Sequence, residues 1–286
     1  MGPGHLACQG CGATLNMRYL LKEAGPNTVM VIPACCWTII DGQFPFNTLG
    51  VPVMHTAFET AASAASGVRA ALDRQGKEDT NVIAFAGDGG TFDIGLQALS
   101  GAAERNENII YCCYDNEAYM NTGIQRSSAT PELAWTTTTP EGHPKQGKKK
   151  DIIQILAAHG IPYAATLNAA FPEDFLKKVR TALSMKGTRF LHMISACPPG
   201  WKIDSSMSIK AMRMATESKA FPLYEVYDGV KYHITHESKG TPVKDYLKMQ
   251  GRFRHLTAEN VDFIQRRLDY QWEQLLHRGQ LEPFNG

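Results

Sequence analysis

The chain has 286 residues, enough for one large domain or two modest ones. Hydrophobic residues make up 43% and charged residues 20%, which supports a sizeable core and excludes wholesale disorder. A formal net charge of +1 argues against a broad nucleic-acid-binding surface and against an acidic tail.

The first residues, MGPGHLACQGCG, carry no basic region and no apolar core, so no secretory signal is expected. The longest apolar runs, such as residues 29–33, are too short to span a bilayer, and the expected setting is the cytoplasm. A helix is expected over residues 15–24, then a buried strand over 28–33 (TVMVIP). Residues 57–74, rich in Ala and Ser, read as a closely packed helix. Strand 81–86 (NVIAFA), helix 94–105 and strand 108–114 (NIIYCCY) follow. Helix 152–159, strand 163–166, helix 172–184 and strand 189–195 complete the alternation. Apolar strands alternating with helices predict an α/β fold, a doubly wound and mainly parallel sheet covered on both faces.

The alternation breaks over residues 119–151, a long loop with four consecutive threonines, 136–139, and the lysine cluster 148–150. An ordered loop of this length in an α/β domain is usually functional. After Trp201 a hairpin over 223–234 and a helix over 258–277, with Thr257 as its N-cap, are expected. The chain thus reads as a domain over 1–200 and an extension over 201–286, used in subunit packing.

Strand 81–86 runs into Gly87, Asp88, Gly89 and Gly90, followed by a helix. Such a turn presents backbone N–H groups to a phosphate. Asp88 would hold a divalent cation, and the cation would hold a diphosphate. The pattern lacks the third glycine of a nicotinamide-binding fingerprint. Asn116 follows the next strand, and adjacent parallel strands would bring it beside Asp88 as a second oxygen donor.

Cys8 and Cys11 form CxxC, while Cys36 and Cys197 each follow a core strand. Four thiolates from three loops suit Zn²⁺ or an iron–sulfur cluster, with zinc slightly ahead on spacing alone. Cys112 and Cys113 lie inside an apolar strand and read as core thiols.

The segments GDGGTFDIGLQAL and YDNEAYMNTGIQRS, with GHLACQGCG, closely resemble the thiamine-diphosphate-binding β subunits of 2-oxoacid:ferredoxin oxidoreductases, the pyruvate type especially. The resemblance covers roughly residues 4–201. It implies a thiamine-diphosphate-binding fold of the pyrophosphate type. It implies Mg²⁺ on Asp88, Asn116 and the Ala118 carbonyl, and a diphosphate pocket shaped by Gly87, Gly89 and Gly90. It places Asn121 near the thiazolium and the substrate. It reverses the metal preference: Cys8, Cys11, Cys36 and Cys197 would bind a 4Fe–4S cluster, with Cys35 standing where the family often has glycine. The implied reaction is oxidative decarboxylation of a 2-oxoacid, pyruvate first, with electrons passing to ferredoxin and the acyl group to coenzyme A. An α subunit would supply the glutamate that activates the cofactor, and γ and ferredoxin-like δ subunits or domains would complete the assembly. Oxalate, aryl or branched-chain oxoacids are alternative substrates. A non-redox thiamine-dependent decarboxylase with a structural zinc is the alternative enzyme, and a decayed scaffold subunit the non-enzymatic one. His55, Glu59 and Arg126 are further candidates near the site. His5 would help fold the cysteine loop, and the Trp135 region would cover the site. The lysines at 148–150 read as a solvated charge run.

Overall fold

The computed structural model describes residues 1–43 and 45–280. Eight strands form one sheet in the order β2-β1-β3-β4-β6-β5-β7-β8. They are β1 (Thr28–Pro33), β2 (Val53–Thr56), β3 (Asn81–Gly87), β4 (Ile110–Asp115), β5 (Tyr163–Asn168), β6 (Arg189–Ile194), β7 (Leu223–Tyr227) and β8 (Lys231–His236). Strands β1 to β6 run parallel, while β7 and β8 close one edge antiparallel. The helices are α1 (Gly12–Ala24), α2 (Trp37–Ile40), α3 (Ala61–Arg74), α4 (Leu96–Glu104), α5 (Ile152–Ala157), α6 (Pro172–Ser184), α7 (Pro198–Trp201), α8 (Ser208–Glu217), α9 (Val243–Lys248) and α10 (Ala258–Gln280).

The apolar runs become strands buried on both faces, as in β4, β5 and β6. One face carries a core of Met17, Leu20, Phe85, Phe175 and Val179, built with α1 and α6. The other carries Ala65, Phe92, Leu99, Tyr111 and Leu156, built with α3, α4 and α5. Cys112 and Cys113, expected as core thiols, point one into each core.

Differences from the sequence-based expectation have local causes. Strand β2 is four residues long and has no fully buried residue, too short and too open to show as a buried run. The helix expected over 94–105 is preceded by a π-helical turn, Gly89–Asp93, in which the Thr91 hydroxyl donates to the Gly87 carbonyl at 2.8 Å. The segment after Trp201 continues the sheet as the β7–β8 hairpin. Pairing of β7 with β5 covers an edge that would otherwise be open. Helix α10 lies on β8, with Trp272 and Leu275 against Tyr232 and Ile234. The Thr257 hydroxyl accepts the Asn260 N–H at 3.3 Å, as its N-cap role requires. No helix among the described residues is long and apolar enough to cross a membrane.

From β1 the chain goes to β2 on one side and returns to β3 on the other. This reversal is a topological switch point, where ligands of open α/β sheets bind beyond the strands' carboxyl ends.

Candidate active site

The carboxyl ends of β1, β3 and β4 open into a cavity of about 340 Å³ at this switch point. Its floor is Gly87, Asp88, Gly89 and Gly90, and its far wall is Asn116, Ala118 and the segment from Tyr119 to Thr122. The glycines are required by space. A Cβ on Gly89 would come within 2.1 Å of the Tyr119 ring, and one on Gly90 within 3.2 Å of the Phe58 ring. The turn that starts at Gly89 begins with N–H groups that have no acceptor inside it, a seat for phosphate oxygens.

Three oxygens meet at the cavity floor. The outer amide position of Asn116 lies 2.9 Å from Asp88 Oδ1 and 2.9 Å from the Ala118 carbonyl. With the oxygen of the amide in that position, three acceptors face one another. With metal–oxygen bonds of about 2.1 Å, neighbouring oxygens of an octahedral Mg²⁺ lie about 3 Å apart, so this trio fits such an ion. With the nitrogen in that position instead, the amide donates to both oxygens. Asp88 is buried, and burial together with the nearby Asp115 carboxylate pushes its carboxyl well above the ordinary range. A divalent cation bound here would supply the countercharge that favours the ionised form.

A second layer braces this floor. Ser127 Oγ donates to Asp88 Oδ2 at 2.5 Å. Burial alone would raise Asp115, but Lys149 at 2.5 Å and His192 at 2.7 Å hold it down at about 2. Lys149 also meets Glu117 at 2.9 Å, and Arg252 meets Glu117 at 2.5 Å. The indole N–H of Trp201 donates to the Asn116 carbonyl at 2.9 Å. The lysine cluster is therefore not a solvated run. Lys148 is exposed, but Lys149 neutralises two buried carboxylates and Lys150 donates to the Phe92 carbonyl.

A second cavity of about 190 Å³ adjoins the first and is lined by Cys8, Cys11, Cys36 and Cys197. Cys36, Ile39, Tyr114, Asn116 and Asn121 line both. Cys11, Cys36 and Cys197 each stand at the N-terminus of a helix, α1, α2 and α7. Backbone N–H groups of Ala13 and Thr14 point at the Cys11 sulfur and that of Gly200 at the Cys197 sulfur. Burial pushes the Cys36 thiol up to about 12, helped by Cys35, Cys197 and Cys11 around it. Burial pushes Cys197 up to about 11. A metal bound by these thiols would have to displace their protons. Among the described residues, no three of His, Cys, Asp or Glu stand close enough to share a single metal ion. The four cysteines share the lining of this one cavity. Cys35 lines only the first cavity, beside Tyr114.

Asn121 lies at the junction of the two cavities. His55 and Glu59 line neither. His55 pairs with the buried Asp41 at 3.0 Å, and Glu59 is exposed. Arg126 is exposed, and Thr136 to Thr139 fold into a knot joined by a 2.7 Å hydroxyl contact. Trp135 packs under Lys202, away from the cavities. His5 accepts the Ala7 N–H at 3.4 Å and so shapes the cysteine loop. Phe58, Met120 and Ser127 also belong to the site; Met120 and Ser127 fall within the segment YDNEAYMNTGIQRS, but nothing in their residue types singles them out there.

Residues 36–193 match the family described as thiamine pyrophosphate enzyme, C-terminal TPP binding domain. Ketoisovalerate oxidoreductase subunit VorB of Pyrococcus furiosus is 47% identical over 283 residues, covering 95% of this chain and 91% of the relative. Pyruvate synthase subunit PorB of Methanothermobacter thermautotrophicus is 48% identical over 279 residues, covering 96% of each. PorB of Methanocaldococcus jannaschii is 49% identical over 278 residues, covering 93% of each. A chain of 2-oxoglutarate:ferredoxin oxidoreductase from Magnetococcus marinus, solved with 2-oxoglutarate, coenzyme A and succinyl-CoA, shares the fold. Its TM-score is 0.63 at 19% identity, over 91% of this chain and 92% of that one. The glycine-floored cavity and its three converging oxygens thus belong to a thiamine pyrophosphate enzyme, and the chain is a member of the family of 2-oxoacid:ferredoxin oxidoreductase β subunits.

Proposed function

We propose that the chain carries Mg²⁺, thiamine diphosphate and a 4Fe–4S cluster, and takes part in the oxidative decarboxylation of a short aliphatic 2-oxoacid in the cytoplasm. The observation that carries this reading is the contact between an oxygen-floored cavity and a thiol-lined one within a single chain. Asp88, Asn116 and the Ala118 carbonyl would hold Mg²⁺, and Gly87, Gly89 and Gly90 leave room for the diphosphate. Ile39, Phe58 and Met120 give an apolar wall suited to the thiazolium ring. Asn121, at the junction, would orient the reacting end of the substrate. When bound, thiamine diphosphate supplies the nucleophilic carbon and holds the electron pair left as CO₂ departs. Cys8, Cys11, Cys36 and Cys197 would hold the cluster, which supplies one-electron chemistry. Cys36 lines both cavities and Cys35 does not, which favours Cys36 as the third ligand. Four cysteines lining one cavity beside the oxygen-floored one suit a cluster.

Among the described residues lining the larger cavity, Asp88 is the one carboxylate, and it is committed to the metal. The glutamate that activates the aminopyrimidine would come from an α subunit, with γ and ferredoxin-like δ subunits passing electrons to ferredoxin. Residues 201–286 would serve subunit packing. Relatives named for pyruvate and for ketoisovalerate are about equally similar, so both acids are candidates, with coenzyme A as acyl acceptor. The test is an oxoacid panel on the anaerobically purified complex, read by viologen reduction with and without coenzyme A. Pyruvate or a branched-chain acid should reduce the dye only when coenzyme A is present. Turnover without any electron acceptor, by a colourless zinc protein, would refute the reading.

A further inference from the structure

Between the oxygen donors Asn116 and Ala118 stands Glu117, whose backbone is left-handed with φ 70°. This conformation is costly for a residue with a Cβ, and it persists only where the surroundings enforce it. The enforcement is visible at every polar group. The Glu117 N–H donates to Asp115 Oδ1 at 3.0 Å, and the Thr130 hydroxyl donates to the Glu117 carbonyl at 2.8 Å. The carboxylate lies buried between Lys149 at 2.9 Å and Arg252 at 2.5 Å. Arg252 is fixed in turn, stacked 4.5 Å from the Trp201 ring centre and bonded to Gln250 at 2.9 Å. Lys149 comes from the long loop and Arg252 from the C-terminal segment, so two distant parts of the chain close on one side chain.

We propose that Glu117 is the positioning residue of the metal site. Its carboxylate, gripped by Lys149 and Arg252, holds residue 117 left-handed, and that turn makes the Asn116 side chain and the Ala118 carbonyl face Asp88 together. The inference rests on the Mg²⁺ reading above and adds the device that preorganises the site. Glu117 touches neither metal nor substrate in this account, so its effect is on how readily the site forms.

The experiment uses the complex with its partner subunits, stripped of metal and cofactor by a chelator. Mg²⁺ is titrated at fixed thiamine diphosphate, cofactor binding is followed by near-ultraviolet circular dichroism, and thermal midpoints control for folding. Glu117→Ala should raise the half-saturating Mg²⁺ about tenfold or more, the scale of one strained residue losing its hold. Glu117→Gly should raise it clearly less, because glycine enters the left-handed region without steric cost. Lys149→Gln, which loosens one side of the grip, should raise it about threefold, on the order of a partly exposed charge pair. Equal shifts for the alanine and glycine variants would reduce Glu117 to a simple charge effect and overturn the proposal. So would an unchanged titration in all three. If Asp88→Ala itself left the titration unchanged, the Mg²⁺ reading would be at fault instead.

Discussion

The oxygen-lined and sulfur-lined ends of the site are neighbours built in opposite ways. The oxygen end is made of strand termini and backbone, and Ser127, Lys149, His192 and Arg252 brace it from below. Its charges are already balanced, apart from the one carboxyl that a cation would settle. The sulfur end draws on three separate loops, and its buried thiols are held in their protonated form. On the reading proposed above, the first would be preorganised for its ion, whereas the second would gain its order when protons give way to metal.

That contrast can be broken most sharply at Asp88. Asp88→Ala should weaken thiamine diphosphate binding by about a hundredfold or more, as expected when a buried ligand charge is lost. The visible absorption of the cluster should stay intact, since the thiol cavity has its own walls. Calorimetric titration and an absorption spectrum of the same sample check both halves. Loss of colour together with cofactor binding would mean the two ends fold as one. The converse variant is Cys36→Ser, which should lose most of the cluster's absorption while Cys35→Ser keeps it. Iron content distinguishes them, and the reverse outcome would move the ligand to Cys35.

How far the sequence reached follows the same division. The α/β alternation and the oxygen donors were readable because apolar strands and strand-end motifs are local. Asp88 and Asn116 needed only the rule that neighbouring parallel strands end together. The thiols were readable as a set, since Cys8 and Cys11 carry spacing and Cys36 and Cys197 follow strands. What sequence could not supply was the bracing. Lys149 looked like part of a solvated run because its partners, Asp115 and Glu117, lie more than thirty residues away in the chain. Arg252 closes on Glu117 from the C-terminal segment, a contact no local pattern announces. His55 could be read as a site residue or as a helix cap, and it is neither: it pairs with Asp41, fourteen residues earlier in the chain.

The thiol end should also respond to pH in a defined direction. Cys36 and Cys197 sit at about 12 and about 11, so thiolate must form as metal binds. Reconstitution of the cluster-free protein should release protons and slow as pH falls from 9 to 7, on the order of severalfold. Rates independent of pH would mean the thiols are already ionised.

The oxygen end predicts a smaller effect on stability. Asp115 is lowered from 3.8 to about 2 in the folded protein. A depressed folded value gives stability that is present above the unfolded value and is lost as pH falls through the folded one. The loss should therefore begin near pH 4 and approach completion below about 2, and amount to roughly 2 kcal/mol. Urea unfolding of the cofactor-free protein across that range checks it, and Asp115→Asn should flatten that part of the curve.

The central claim is that the cofactor and the electron acceptor occupy adjoining cavities of this chain, with an activating group supplied from outside it. The measurement that tests it most directly is the anaerobic visible spectrum of the complex before and after addition of a 2-oxoacid. With Mg²⁺ and thiamine diphosphate present, the brown absorption should bleach, and this chain alone under the same conditions should not change. Bleaching by the isolated chain, or a complex that turns over without any change in its spectrum, would contradict the account.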